Sequence, residues 1–259
     1  NGNVLLRRQH FRMADDVGIC ASVAASIVMA KLANSRIILQ RALRDYSGNE
    51  NRQQLQDGAD YLSDSLARLQ KPASLDVLRG IEGDAANAYF GVFDHLITVG
   101  KDAFVFSGRN RRPPLDNVNA LLSFIYTLLA HDVASALEAV GLDPAVGFFH
   151  ADRPGRNGLA LDIMEEFRAY LADRLVLSLI NRQQVRPEGF RRTESGAVLM
   201  DDKTRKAVLV AWQKRKQQEI THPFIREKVK LGLLAHVQAM LLARFIRGEL
   251  EAYPPFFWR

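Results

Sequence analysis

Residues about 117–140 contain VNALLSFIYTLLAHDVASALEAV, a stretch that is apolar almost all the way round a helix. A helix of that kind has no wet face, so other elements must surround it. Pro113 and Pro114 stop any helix before it, Asp116 can cap its start, and Gly141 ends it. The remaining chain must therefore supply amphipathic helices to wrap it, and 259 residues are enough to bury a substantial core.

Helical periodicity recurs over about 12–33 and 35–46, divided near Ala33-Asn34-Ser35. After Gly48-Asn49 it resumes over about 50–70 through Leu55, Tyr61, Leu62 and Leu66. Pro72 and Ser74 mark another start, with Asp76 in the first turn of LDVLRGIEGDAANAYFGVF. Further helices are expected over about 158–184, 202–220 and 223–247. In RPEGFRRTESGAVLMDD, Ser195-Gly196 between two short extended runs predicts a hairpin. The pattern predicts a mainly α fold, one multi-helix domain with one short β-hairpin.

Hydrophobic content of 47% and charged content of 25% are those of an ordinary globular protein. The stretch VGICASVAASIVMAKLA is interrupted by serines and followed by basic residues, so it reads as a buried helix and no membrane is expected. NGNVLLRRQH has no apolar core of a secretion signal. Cys20 is the only cysteine, which excludes an internal disulfide framework and a multi-cysteine zinc site, and fits a reducing cytoplasm. The net charge of +6 is unevenly placed: residues 1–200 hold 23 basic and 23 acidic side chains, whereas 201–259 hold 12 and 6. A concentrated basic segment can attract a polyanion.

The stretch GFFHADRPGRNGLALDIMEEFR sets Asp162, Glu165 and Glu166 among apolar residues. Asp162 and Glu165 are three apart and share a helix face, where like charges repel unless a cation neutralises them. His150 lies twelve residues before Asp162, across a turn containing Pro154, Gly155 and Gly158 that can fold it back over the helix N-terminus. A metal site and an acidic first turn on a solvated helix both satisfy this spacing. Glu82, in RGIEGDAANAYF, is flanked by Gly80 and Gly83, a pattern expected where another group approaches the backbone closely.

Together, LRGIEGDAANAYF, RRPPLDNVNALLSFIYTLL, GLDPAVGFFHADRPGRNGLALDIMEEFRAYLADRL and HPFIREKVKLGLLAHVQAMLLARFIRGELEAYPPF resemble the universal nuclease-integrase of CRISPR adaptation, the number-one Cas protein. The form is most similar to that of type I-C systems. The resemblance implies a divalent-metal-dependent DNA endonuclease and integrase that inserts captured foreign fragments as new spacers. The family's metal-binding glutamate falls on Glu82, its histidine on His150, its final carboxylate on Glu165 and the acid before that on Asp162. Family members often carry serine where this chain has Gly158, which puts a local cap or hydroxyl contact in doubt. The family's N-terminal β-domain, which mediates dimerisation, is expected to have no counterpart in this sequence. Residues 1–12 match the connection from it, and 13–259 match the α-helical catalytic domain. The fragment is expected to be monomeric or weakly associated.

Two carboxylates and an imidazole would leave open positions on Mg2+ or Mn2+ for phosphate and water, with Asp162 as an auxiliary ligand or an orienting group. The attacking group would be a DNA 3′-hydroxyl in integration and water in cleavage. Arg109, Arg111, Arg112, Lys203, Arg205, Lys206, Lys214, Arg215 and Lys216 are candidate contacts to DNA phosphates. The partners implied are double-stranded DNA (captured fragments and the CRISPR repeat), the small second adaptation protein, and a second copy in the full-length protein. The aromatic tail Tyr253 to Trp258 is a candidate docking surface. A non-catalytic helical DNA-binding or scaffold protein is the competing class, and it has no need of an acid and an imidazole at one point.

Overall fold

Asn117–Val140 forms α5 in the computed structural model, which describes residues 3–45, 51–110 and 112–258. The Asp116 carboxylate accepts the Asn119 N–H at 2.7 Å, and Gly141 closes the helix at φ +91°. Leu121, Leu122, Ile125, Val133 and Leu137 are all fully buried. The helices around it are α1 (Val4–Ala14), α2 (Val17–Asp45), α3 (Arg52–Arg68) and α4 (Leu75–Gly91) before it. After it come α6 (Gly158–Phe167), α7 (Arg174–Asn181), α8 (Asp202–Lys216) and α9 (Leu234–Ile246). A π-helical turn over Arg168–Asp173 joins α6 to α7 in one helical run, which packs against both α2 and α5. That run is the layer on which the candidate site is built.

The expected division at Ala33-Asn34-Ser35 does not occur, because α2 runs unbroken through it. Asn34 is fully buried and its amide serves tertiary structure instead of capping a helix. Its Nδ2 donates to Glu166 O at 2.7 Å and Phe256 O at 2.9 Å, while its Oδ1 accepts Trp258 N–H at 2.8 Å. The break lies instead at Asp15–Asp16, because the residues expected to be a connection form α1 and bury Leu6 and His10. The expected break at Gly48-Asn49 lies outside the described residues. By length and composition α2 and α5 would each suffice to cross a bilayer, contrary to the sequence reading, yet about half of each apolar stretch is buried within the protein.

The hairpin at Ser195-Gly196 forms, with β1 (Phe190–Arg192) antiparallel to β2 (Val198–Met200). A second hairpin stands where two helices were expected to meet: β3 (Glu219–Thr221) pairs with β4 (Lys228–Lys230). His222 organises its turn. The ring's Nδ1 faces the N–H groups of Phe224 and Ile225 at 3.3 and 3.4 Å, so Nε2 carries the proton and donates to Gln238 Oε1 at 3.0 Å. The Gln238 amide donates in turn to Glu166 Oε2 at 3.0 Å and Tyr253 Oη at 2.8 Å.

The aromatic tail is core, not a docking surface. Tyr253, Phe256 and Trp258 are buried, with only Phe257 among the tail's aromatic residues exposed. Trp258 stacks on Tyr170 at 4.6 Å between centroids, and the Arg41 and Arg174 guanidiniums lie 4.1 and 4.7 Å from the centroid of its ring. Three of the tail's four aromatic residues are thus taken up inside the fold.

Candidate active site

Ser74 caps α4 by accepting Val77 N–H, and Leu78, Ile81, Ala85 and Tyr89 form its buried stripe. Glu82 follows Ile81 at the border of that stripe, its side chain only 24% exposed. A Cβ built at Gly80 or Gly83 would meet nothing within 4 Å, so no close approach requires those glycines. Glu165 projects from α6 and is buried. Both carboxylates meet the ammonium of Lys31, from the middle of α2: Nζ contacts Glu82 Oε1 and lies 2.8 Å from Glu165 Oε2. On its other oxygen Glu165 pairs with Arg168 Nη2 at 3.1 Å. Burial alone would raise the Glu165 pKa, but Arg168 and then Lys31 outweigh it and hold the carboxyl at about 2.

His150 is placed by Asp162, a fully buried residue in the first turns of α6. Asp162 Oδ2 accepts Phe148 and Phe149 N–H at 2.7 and 3.0 Å, and Oδ1 accepts His150 N–H at 2.9 Å and Nδ1 at 2.6 Å. All of its hydrogen-bonding directions face the 148–150 loop. Of the two roles open to Asp162, orienting accounts for these bonds and direct ligation does not. With Nδ1–H directed at a carboxylate, Nε2 is the ring nitrogen left with a lone pair, the arrangement of a metal-ligating histidine. The loop reaches this position because Gly147 and Gly158 lack side chains. A Cβ on Gly147 would lie 2.9 Å from Asp162 Oδ2, and one on Gly158 would lie 2.7 Å from Ala145 O. Glycine at 158, in place of the serine common in the resembled family, is thus the residue this packing accepts.

Glu82 and Glu165 therefore meet at one cation, whereas the His150 ring bonds to Asp162. Among the described residues no three His, Cys, Asp or Glu side chains are arranged to hold a metal ion. The donor set nevertheless fits a hard divalent cation. Buried Glu165 Oε2 has no aligned hydrogen bond, only the Lys31 charge, and that charge stands where two carboxylates converge.

Glu166, beside Glu165, faces away from this point. It accepts Tyr253 Oη–H at 2.7 Å and Phe256 N–H at 2.7 Å and is completely buried. Burial pushes its pKa up to about 7 despite those donors, and pushes Asp173 to about 6 despite bonds from Tyr126 and Tyr89. Both folded values exceed the ordinary carboxylate value. Their stabilising effect is therefore fully present below about pH 4 and is lost as pH rises through 6 and 7. Glu165 has the opposite sign, its contribution being present above pH 4.5 and lost as pH falls through 2. The metal-free protein should thus be more stable at pH 5 than at pH 8 in urea denaturation. Asp173→Asn should remove a pH-dependent contribution on the order of 3 kcal/mol. An unchanged slope in that variant would contradict the assignment.

An open groove of about 990 Å³ runs beside the site, lined by Arg112, His131, Arg153, Arg156 and Arg168 among others, with no carboxylate in its wall among the described residues. Arg168 links groove and site, because it also pairs with Glu165. Sequence reasoning passed over Arg153 and Arg156, although both stand in the Arg-Pro-Gly-Arg turn beside His150. The other basic candidates divide by what they touch. Lys203, Lys206 and Lys214 are exposed on α8, as is Arg205, which pairs with Asp202 at 2.8 Å. Arg215 donates to Tyr170 O at 2.7 Å and Lys216 pairs with Asp132 at 3.0 Å, so both are tied into the fold. Arg109 lines the groove while binding Asn119 and Ser123, and Arg111 lies outside the described residues.

A protein-family profile described as CRISPR associated protein Cas1 matches residues 1–214. A protein of Chlorobaculum tepidum named CRISPR-associated endonuclease Cas1 1 is 55% identical over 258 residues, covering 100% of this chain and 75% of that protein. A solved casposase bound to integration product shares the fold at a TM-score of 0.86 and 22% identity, over 100% of this chain and 70% of its own. A partial Cas6-RT-Cas1–Cas2 complex superposes at a TM-score of 0.80 and 25% identity, over 96% of this chain and 71% of that one.

Proposed function

The chain belongs to the family of the CRISPR associated protein Cas1, and on that premise we propose that it is a divalent-metal-dependent DNA endonuclease and integrase of CRISPR adaptation. One observation carries the reading: Glu82 and Glu165, distant in sequence, are bridged by a single buried ammonium. Glu82, Glu165 and His150 Nε2 would hold Mg2+ or Mn2+, which when bound supplies Lewis-acid stabilisation of charge developing on the phosphate. Asp162 keeps His150 in the tautomer that offers Nε2. Arg168, Arg153 and Arg156 bind phosphate oxygens along the groove and guide the backbone toward Glu165, while Lys203, Lys206 and Lys214 add contacts that position the duplex without reading sequence.

The substrates in this reading are double-stranded DNA, both the captured fragment and the CRISPR repeat, in the cytoplasm. Residues 13–259 act as the catalytic domain. The full-length protein works as a homodimer and joins the small second adaptation protein, the second of these inferences being supported by the likeness to a Cas1–Cas2 complex. Glu82→Gln in the full-length protein should lower Mn2+-dependent cleavage and spacer integration by about 10²-fold or more. Arg153→Ala with Arg156→Ala should instead weaken DNA binding and flatten its salt dependence. Undiminished integration by Glu82→Gln would favour the scaffold class.

A further inference from the structure

Lys31 sits in the middle of α2 between Ala30 and Leu32, both buried, and is itself only 9% exposed. A buried lysine is costly to hold, and an apolar residue of similar volume is often no worse for stability. Its ammonium is not spread over the surroundings but concentrated on two oxygens, one from Glu82 and one from Glu165. Glu165 already has a second cation, Arg168, so the pairing with Lys31 exceeds what neutralising that carboxylate requires. Two carboxylates drawn to one point would otherwise repel.

We propose that Lys31 is an internal competitor of the catalytic cation. Its ammonium holds Glu82 and Glu165 together in the metal-free protein and must leave that position when a divalent ion enters. The inference rests on the reading of Glu82 and Glu165 as a metal centre. The charges give it a consequence. Where they meet, Glu82 and Glu165 contribute two negative charges and Lys31 with Arg168 two positive ones, so the charges at that point already balance. A divalent ion added to it leaves an excess of positive charge that a DNA phosphate can offset. Metal and DNA should therefore bind cooperatively, each raising affinity for the other by the same factor.

The test is Mn2+ binding to the full-length protein, read by the electron paramagnetic resonance signal of free Mn2+, with and without a DNA duplex. Lys31→Met should bind Mn2+ about tenfold more tightly than wild type without DNA, and the tightening caused by DNA should shrink. Lys31→Arg, which keeps a cation there, should stay close to wild type. Equal or weaker Mn2+ binding by folded Lys31→Met would overturn the proposal. If that variant does not fold, wild type decides. Mn2+ should speed acetylation of Lys31 by an amine-reactive ester, read by mass spectrometry, and an unchanged rate would overturn the proposal. Glu165→Gln separates the two ideas: Mn2+ binding indifferent to that change would sink the metal-centre reading, and this one with it.

Discussion

His150→Ala should abolish strand transfer and cleavage by the full-length protein, a loss of about 10²-fold or more, while DNA affinity changes little. The two effects separate because of where the groups sit. His150 is held on Asp162 in the 148–150 loop, whereas the exposed cations line the groove and α8. In the proposed site, removing the imidazole deletes one donor to the reacting centre and leaves the phosphate contacts intact. The measurement is integration into a supercoiled, repeat-bearing target with Mn2+, alongside binding of the same DNA by fluorescence anisotropy. Full activity in the variant would return the acidic helix to a purely structural role.

Asp162→Ala should be the most destabilising change in the site. It leaves three backbone N–H groups and the His150 ring without their acceptor, two of those N–H groups in buried residues. Each orphaned buried donor costs about 1–3 kcal/mol, so a loss on the order of 4 kcal/mol is expected in urea denaturation. Asp162→Asn keeps one oxygen but turns an NH2 group toward donors. It should fall between the two in stability, with activity reduced about 10- to 100-fold through the freed ring. A near-neutral Asp162→Ala would mean that the 148–150 loop is held by other contacts.

The candidate site was partly legible in the sequence, and the boundary has physical causes. α5 was readable because an all-apolar helix has only one environment, and α4 because Ser74 and Asp76 mark its start locally. The run after Gly158 was readable as one helix, but not its π turn, which reflects how Arg168 and Asp173 reach opposite partners: Glu165 for one, Tyr89 and Tyr126 for the other. Asn34 misled because a polar residue between apolar ones resembles a cap, whereas its partners lie more than 130 positions away. The second hairpin was hidden because no glycine marks its turn, which depends instead on the buried His222–Gln238 contact. Lys31 gave no signal at all. A lysine in an apolar helix is ordinarily a side chain reaching for water, and only tertiary contact reveals that it reaches inward.

The buried tail sets an order on the birth of the molecule. Trp258 N–H bonds to Asn34 across 224 positions, and Phe256 N–H completes the Glu166 carboxylate across 90. A chain emerging from a ribosome makes α2 and α6 long before either partner exists, so both polar groups wait, wet or mispaired, until residues 256–258 arrive. Such long-range closures are slow steps in folding, and the half-made core is vulnerable to aggregation meanwhile. Final consolidation of the helical layer is therefore deferred until residues 253–258 have been made, with that segment acting as the latch.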